Sequence, residues 1–208
     1  MLKYINTMLY RRFGKRLLDI LLGSAAAIIL LPLAGIIIML VLITSGRPVL
    51  YRRKVVGTNG KVFDAYKFRT MVPNAESIIK KNPDLNNRFK EKHKLENDFR
   101  VIPVGAVLRK FSFDEIPQLI NVLKGEMSLV GPRMICPEEL DKYGEYKDKL
   151  LSVKPSMTGY WQINGRQKTS YEERVQMDMY YIDNYSLTMD LSIILSTPSA
   201  VFRAEGAH

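Results

Sequence analysis

Hydrophobic residues fill the stretch from Leu17 to Ile43 almost without interruption. One acid, Asp19, lies near its start, and one proline, Pro32, lies near its middle. A straight helix of this length would measure about 40 Å, which is enough to cross a hydrocarbon core of about 30 Å. Because proline lacks an amide N–H and clashes with the preceding turn, the sequence predicts a kink or a break near Pro32. Each half would then measure about 18 to 22 Å, too short to cross.

Basic residues flank this apolar stretch on both sides. They are Arg11, Arg12, Lys15 and Arg16 before it, and Arg47, Arg52, Arg53 and Lys54 after it. Because the cytoplasmic flanks of membrane segments carry an excess of Lys and Arg, both ends are expected on the cytoplasmic side. We therefore predict a basic segment and a re-entrant membrane helix in residues 1–46, followed by a cytoplasmic domain over residues 47–208. A spanning helix is the alternative.

The chain after the membrane segment shows the spacing of strands first and of helices later. Two β-rich stretches separated by Gly57-Thr58-Asn59-Gly60 predict a hairpin, because Asn-Gly is a strong turn signal. These stretches are Val49–Val56 and Lys61–Phe68. Residues 74–100 are charged and compatible with a helix, so we predict a solvated helical insertion there.

Apolar residues recur at helical spacing in three later stretches. They are Ile116–Leu123, with Gly125 as a helix stop, then Tyr171–Ile182 and Leu187–Leu195. The predicted fold class is α+β, mostly helical with a small β-hairpin. It includes the N-terminal re-entrant membrane helix and interfacial amphipathic helices.

The charge balance suits an anionic partner. The net charge of +10, from 31 basic and 21 acidic residues, fits anionic lipid, a phosphorylated substrate or nucleic acid. Nucleic acid is not expected, because the sequence has no helix-turn-helix, zinc-finger or RNA-binding-sheet motif. One cysteine, Cys136, and two histidines, His93 and His208, argue against an intrachain disulfide and a Cys/His metal cluster. Any metal ion would therefore need oxygen ligands.

Two adjacent acids, Asp114 and Glu115, follow a basic and aromatic stretch. They could belong to a capping box that begins at Ser112, but Pro117 would then fall where the helix needs an N–H. With Asp114 as the N-cap, the missing donor of Pro117 would do no harm. Neighbouring helical residues point about 100° apart, so one carboxylate could act as a nucleophile and the other could hold a cation. This division suits phosphoryl transfer with Mg²⁺, although such pairs are also common on solvated surfaces.

Five stretches together carry a family resemblance. They are Lys15–Asp19, Tyr66–Met71, Leu108–Leu119, Asn121–Arg133 and Thr158–Arg166. In these stretches the chain resembles the monotopic phosphoglycosyl transferases, bacterial sugar transferases that move a sugar phosphate from a nucleoside diphosphate sugar to a polyprenyl phosphate. The resemblance covers nearly the whole chain and is most specific from Asp114 to Arg133.

The resemblance implies roles for individual residues. Asp114 is expected to be the nucleophile, Glu115 the Mg²⁺ ligand, and Pro32 the break in the re-entrant helix. The residues expected to bind substrate phosphates are Lys67, Thr70, Arg109 and Arg133. The chain departs from the family pattern at Leu31, where a small polar residue is common, and at Met134, where proline is common. It departs again at Ser156-Met157, where Pro-Gly-Ile is frequent.

The resemblance also implies an activity. Residues 47–208 would form the catalytic domain of an Mg²⁺-dependent enzyme on the cytoplasmic face of the bacterial inner membrane. It would transfer a sugar 1-phosphate from a UDP-sugar to undecaprenyl phosphate through a covalent aspartyl phosphosugar, giving undecaprenyl-diphosphate-sugar and UMP. This is the first membrane step in assembly of a surface glycan, such as a capsule, exopolysaccharide, O-antigen or glycoprotein.

Other interpretations stay open at this point. One is a non-catalytic, membrane-anchored scaffold that binds anionic lipid, and another is a basic nucleic-acid binder with a hydrophobic anchor. The sequence does not specify the glycan pathway or the sugar, although galactose or glucose is favoured. The oligomeric state is also open, with a homodimer as one alternative.

Overall fold

A computed structural model describes residues 8–81, 98–165 and 169–202. Helix α1, Lys15–Ser45, follows a π-helical turn at Tyr10–Gly14. Within the described ranges, this is the one helical segment long and apolar enough to cross a membrane. The later α-helices are α2 (Ala75–Lys81), α3 (Pro103–Lys110), α4 (Gln118–Lys124), α5 (Lys147–Leu151), α6 (Tyr160–Asn164), α7 (Tyr171–Asn184) and α8 (Leu187–Phe202). Shorter 3₁₀ segments lie at Thr58–Gly60, Phe113–Glu115 and Pro137–Tyr146.

The apolar helix is not interrupted at Pro32. Helix α1 continues through this residue, whereas the sequence predicted two separate halves. A proline removes one backbone hydrogen bond from the preceding turn, but this loss does not oblige the chain to leave the helical conformation. The expected interruption is therefore replaced by one helix with an internal proline, and the re-entrant path stays a prediction.

The predicted hairpin is confirmed. Strand β1, Leu50–Val56, pairs antiparallel with strand β2, Val62–Phe68, so that Tyr51 lies opposite Lys67. Asn59 adopts a positive φ of 56° in the connecting turn, a conformation that asparagine tolerates better than most residues. A second sheet, which the sequence did not predict, consists of the parallel strands β3 (Ser128–Val130) and β4 (Ser156–Thr158).

The predicted helices after the hairpin are also present. Gly125 ends α4 with a left-handed φ of 83°, as its position in the sequence indicated. Helices α7 and α8 cover the two later amphipathic stretches. Of the predicted insertion at 74–100, helix α2 and residues 98–100 are described, and the remainder lies outside the described residues. The α+β, mostly helical fold class is confirmed, and an interfacial location of its helices stays a prediction.

Helix α1 contacts the rest of the chain near both of its ends. In its first turns, Asp19 accepts hydrogen bonds from the Ser128 hydroxyl and the Leu129 amide, each at 2.9 Å. Near the other end, Ile37 and Val41 are buried in one apolar cluster with Phe68 and Leu108. The middle of the helix is bare, and its side chains Ile28, Ile29 and Leu31 are 70 to 75 % exposed. Both ends of the apolar helix therefore pack against the rest of the chain.

Candidate active site

Asp114 and Glu115 lie in a short 3₁₀ turn between α3 and α4. Ser112, just before this turn, has a left-handed φ of 55°, which reverses the chain after α3. Helix α4 begins at Gln118 with Pro117 as its N-cap, so neither Ser112 nor Asp114 caps α4 as the sequence analysis considered. Pro117 ends the tight turn before the regular helix, because its fixed φ suits a helix start. The carboxylates precede the helix instead of beginning it.

The residues that flank the acids fix the turn against the membrane helix. Phe113 and Ile116 pack onto the cluster that contains Ile37 and Val41 of α1. Because the two acids lie between these apolar anchors along the chain, their turn is held beside the apolar helix. The Asp114 residue is only 8 % exposed. An acid is rarely buried to this extent unless it is paired, and among the described residues Asp114 has no arginine within ion-pair distance.

Lys67, from the end of β2, lies between the two acids. Its Nζ atom is 2.6 Å from Oε1 of Glu115 and 3.8 Å from Oδ2 of Asp114. The Lys67 side chain is mostly buried, so its charge is only weakly screened by water. One lysine thus pairs with both carboxylates. The predicted role of Lys67 on substrate phosphate stays a prediction.

Burial raises the pKa of Asp114 to about 6. The positive charge of Lys67 opposes this shift, the negative charge of Glu115 adds to it, and Arg109 lowers the pKa further. The carboxyl group therefore keeps its proton to a higher pH than an exposed aspartic acid does, although Lys67 partly stabilises the anion. Perturbed acids of this kind are typical of functional sites.

Thr70 and Arg109 are joined through a close approach of α3 to the chain after β2. The space at Gly105 is so tight that a Cβ atom there would lie 2.2 Å from the Thr70 carbonyl oxygen. Only glycine permits this contact. Arg109 lies one helical turn later on the same face of α3, and its Nε atom donates to the Thr70 hydroxyl at 2.8 Å. Burial lowers the pKa of Arg109, and the nearby charge of Asp114 opposes that shift.

The acids have the chemistry that Mg²⁺ requires. Glu115 and Asp114 offer oxygen ligands, and the Lys67 ammonium already lies where both carboxylates attract a cation. No group of three or more His, Cys, Asp or Glu side chains suited to a metal occurs within the described part of the chain. An ion here would depend on these carboxylates, water and substrate phosphates, which is the usual way that Mg²⁺ is held.

Arg133 is in different surroundings from the other predicted residues. Its guanidinium lies 5.5 Å from the centre of the Trp161 ring and 3.9 Å from Oε1 of Glu139. Among the described residues, it forms no ion pair or hydrogen bond with Asp114 or Glu115. Arg174, from α7, lies over the same indole at 5.1 Å. The structure therefore brings together Asp114, Glu115, Lys67, Thr70 and Arg109. The role of Arg133 on substrate phosphate stays a prediction.

Sequence reasoning missed Asp178, which positions the backbone at Arg133. Asp178 of α7 is fully buried and accepts hydrogen bonds from the Tyr143 hydroxyl at 2.8 Å and from the backbone amide of Arg133 at 3.2 Å. Burial raises the pKa of Asp178 to about 7. The signal was an acid on the buried stripe that contains Val175, Met179 and Ile182.

Comparison with known proteins places this geometry in a family. The exopolysaccharide production protein ExoY of Rhizobium meliloti (strain 1021) is 41% identical over 199 residues, covering 94% of this chain and 88% of ExoY. The undecaprenyl-phosphate galactose phosphotransferase of Salmonella typhimurium is 42% identical over 201 residues, covering 95% of this chain and 42% of that protein. The galactosyl transferase CpsE of Streptococcus agalactiae is 40% identical over 195 residues, covering 93% of this chain and 43% of CpsE.

The chain thus spans under half the length of some relatives and nearly the full length of ExoY. The shared region includes the hairpin, the acidic turn and the apolar helix, because a family model described as bacterial sugar transferase matches residues 10–204. This match covers almost all of the described residues. The chain belongs to the bacterial sugar transferase family.

Proposed function

We propose that this chain is a phosphoglycosyl transferase that moves a sugar 1-phosphate from a UDP-sugar to undecaprenyl phosphate. The observation that carries the proposal is the position of Asp114, a buried carboxylate of raised pKa beside Lys67, on a turn packed against the apolar helix. A helix-start acid on a non-catalytic scaffold would need neither the burial nor the lysine. The names of the relatives, one of them an undecaprenyl-phosphate galactose phosphotransferase, support the same substrate class.

In the first half-reaction, a carboxylate oxygen of Asp114 attacks the phosphorus that bears the sugar. The bond between this phosphorus and the oxygen that bridges to the nucleotide breaks, and UMP leaves with both bonding electrons. Asp114 then carries the phosphosugar as an acyl phosphate. Lys67 and Arg109 supply positive charge next to Asp114, which lowers the energy of the developing negative charge on the phosphoryl oxygens.

In the second half-reaction, an oxygen of undecaprenyl phosphate attacks the same phosphorus. The bond to Asp114 breaks, the carboxylate is regenerated, and undecaprenyl-diphosphate-sugar is released. Mg²⁺, held by Glu115 and the substrate phosphates, would neutralise charge on these phosphates when bound. Glu115 and Asp114 are neighbours on one tight turn, so that one carboxylate can bind the ion while the other attacks the phosphorus.

The contacts of α1 support a re-entrant path for the membrane helix. A straight helix would separate Asp19 from Val41 by about 33 Å, which exceeds the hydrocarbon core. Both residues nevertheless pack against the same domain. A spanning helix would have to place that domain beside the whole thickness of the bilayer. We therefore place both ends at the cytoplasmic surface, with the exposed residues Ile28 to Leu31 deepest in the lipid.

This arrangement explains how one site could reach two different phosphates. The nucleotide sugar arrives from water, whereas the polyprenyl phosphate is confined to the headgroup layer. A catalytic turn packed on the membrane helix lies at the level where both can meet. In the surface-glycan pathway this reaction would be the first membrane step, on the cytoplasmic face of the inner membrane.

The names of the relatives indicate which sugars to test first. Relatives are named for galactose and for glucose, the latter in Klebsiella pneumoniae, where a UDP-glucose:undecaprenyl-phosphate glucose-1-phosphate transferase is 37% identical over 207 residues. UDP-galactose and UDP-glucose are therefore the first donors to compare, with UDP-N-acetylhexosamines as further candidates.

The decisive experiment supplies the purified protein with each nucleotide sugar and Mg²⁺ but without lipid. The proposed reaction releases up to one equivalent of UMP and adds the mass of a phosphosugar to the protein. Asp114→Asn should lose this adduct and reduce turnover by at least about a thousandfold, since the nucleophile is removed. Glu115→Gln should still form the adduct, more slowly and at higher Mg²⁺ concentration.

Initial rates with both substrates distinguish the alternatives. Parallel lines in double-reciprocal plots indicate the two-step reaction. Intersecting lines, with no UMP released before lipid is added, would indicate direct transfer in a ternary complex and would leave Asp114 a positioning role. Absence of UMP release with any donor, in the presence and absence of lipid, would favour the scaffold interpretation.

A further inference from the structure

A second group of charged residues lies where α1 meets the end of α4, and the proposed reaction does not use it. Arg16 of α1 donates to the carbonyl oxygens of Val122 and Leu123, at 2.6 and 2.7 Å. These are carbonyl groups at the end of α4, so a cation is well placed there. The hydrogen bonds hold the guanidinium in position without neutralising its charge.

Lys154, from the loop before β4, lies beside this arginine. The two meet at Gly125, where a Cβ atom would lie 3.4 Å from Nη2 of Arg16 and 3.6 Å from Nζ of Lys154. Glycine is needed at this position for its left-handed φ of 83°, and the missing side chain leaves space between the two cations. Both positively charged groups thus lie within 3.6 Å of one point beside Gly125.

The acids nearby do not balance this charge. Asp19 and Asp190 both form ion pairs with Lys15, at 3.5 and 2.9 Å from its Nζ atom. In the described part of the chain, neither Arg16 nor Lys154 has a carboxylate at ion-pair distance. Burial lowers the pKa of Lys154, Arg16 and Lys15 lower it further by repulsion, and Asp19 opposes them. The pair therefore carries excess positive charge that an anion would relieve.

The surroundings indicate where such an anion would come from. Leu17 and Leu21, from the same helix as Arg16, are 58 and 59 % exposed. On α4, Ile120 and Leu123 are also exposed, at 46 and 38 %. A pair of cations beside two helices that expose apolar side chains matches a phospholipid, whose phosphate lies directly above its hydrocarbon chains.

We propose that Arg16 and Lys154, across Gly125, form a binding site for the headgroup phosphate of an anionic membrane phospholipid. The site goes beyond the proposed transferase activity and does not depend on it. It would fix the depth of the domain at the headgroup layer, because it lies beside the first turns of the membrane helix.

The experiment measures unfolding of the purified full chain in neutral detergent micelles, followed by the fluorescence of its single tryptophan. Dioleoylphosphatidylglycerol is titrated into the micelles, with dioleoylphosphatidylcholine as the neutral lipid and inorganic phosphate as the soluble anion. No nucleotide sugar is present, so the result is independent of turnover. Phosphatidylglycerol is expected to raise the Tm, and the other two additives are not.

The variants identify the site. Lys154→Gln should need about fivefold more phosphatidylglycerol for half of the Tm shift, equivalent to the ~1 kcal/mol that one basic residue contributes near an anionic surface. Lys154→Arg should keep the wild-type response. Lys147→Gln is the matched control, because Lys147 pairs with Asp141 on an exposed surface. Without added lipid, Lys154→Gln should unfold at or above the wild-type Tm, since a repulsion is removed.

Three outcomes would overturn the proposal. The first is an equal response to the anionic and neutral lipids in the wild-type protein. The second is a Lys154→Gln titration that matches that of Lys147→Gln. The third is an equal Tm rise with inorganic phosphate, which would identify a site for soluble anions and contradict the lipid assignment.

Discussion

Removing the lysine between the two acids should shift the pH dependence of catalysis to higher pH. Lys67 lies 3.8 Å from Asp114, a distance at which two unit charges attract by about 4 kcal/mol at an effective dielectric constant near 20. Lys67→Gln removes this attraction and leaves the more distant Arg109. An opposite charge at this range typically lowers a carboxyl pKa by about one to three units, so its loss raises the pKa of Asp114.

The sign follows from the form of Asp114 that reacts. In the proposed reaction the ionised carboxylate of Asp114 is the nucleophile. Because its pKa is about 6, the wild-type rate should rise with pH through that value. In Lys67→Gln the rise should occur at or above about pH 7. At pH 6 the wild-type protein then keeps about half of its maximal rate, whereas the variant keeps about a tenth or less of its own.

The measurement is kcat/KM for UMP release between pH 5 and 9, because this quantity reports the pKa of the free enzyme. Because Lys67 is predicted to bind substrate phosphate, Lys67→Gln should also lower the plateau, so the pH of the rise is compared and not its height. Lys54→Gln is the matched control, since Lys54 is an exposed lysine of the same hairpin that pairs with Asp64. An unchanged or lower midpoint in Lys67→Gln would refute the reasoning.

Two further predictions concern the membrane helix. In a Cys136→Ala background, Met8 and Asn59 are each replaced by cysteine, and both positions should lie in the cytoplasm. Each cysteine should then react with an impermeant maleimide in inside-out vesicles only. Labelling of position 8 in intact spheroplasts would indicate a spanning helix. Asp19→Ala should destabilise the protein by about 3 to 5 kcal/mol in detergent, because it leaves a hydroxyl, an amide and part of a lysine charge unpaired in a buried site. Asp141→Ala, at an exposed ion pair, should unfold as the wild-type protein does, and equal unfolding of both variants would contradict the role of Asp19.

The parts of the fold set by local chemistry could be predicted from the sequence. Asn59 and Gly60 specified the hairpin turn, and Gly125 specified the end of α4, because each position requires a backbone conformation that few residues adopt. The apolar spacing of α7 identified its buried face in the same way. These signals depend on residues within a few positions of one another.

Features that depend on distant contacts were missed. Strands β3 and β4 are three residues each and pair across more than twenty residues of chain, so neither carries a periodic signal. The capping prediction for Asp114 failed for a related reason. Rules for helix starts assume that the helix begins at the best cap, whereas here Phe113 and Ile116 hold the chain in a tighter turn by packing against a distant helix.

The packing of that turn also changes how the membrane helix should be regarded. An anchor that only tethers a domain would contact it at one end, and its sequence would need only to be apolar. Here Ile37 and Val41 form part of the core beneath the two acids, while Asp19 is bonded to strand β3. The helix therefore contributes to the position of Asp114, and we expect the geometry of the site to depend on how the helix lies in the bilayer. This explains why the apolar stretch contains an acid. Asp19 fixes the helix against the domain by directional hydrogen bonds, which apolar contacts cannot supply.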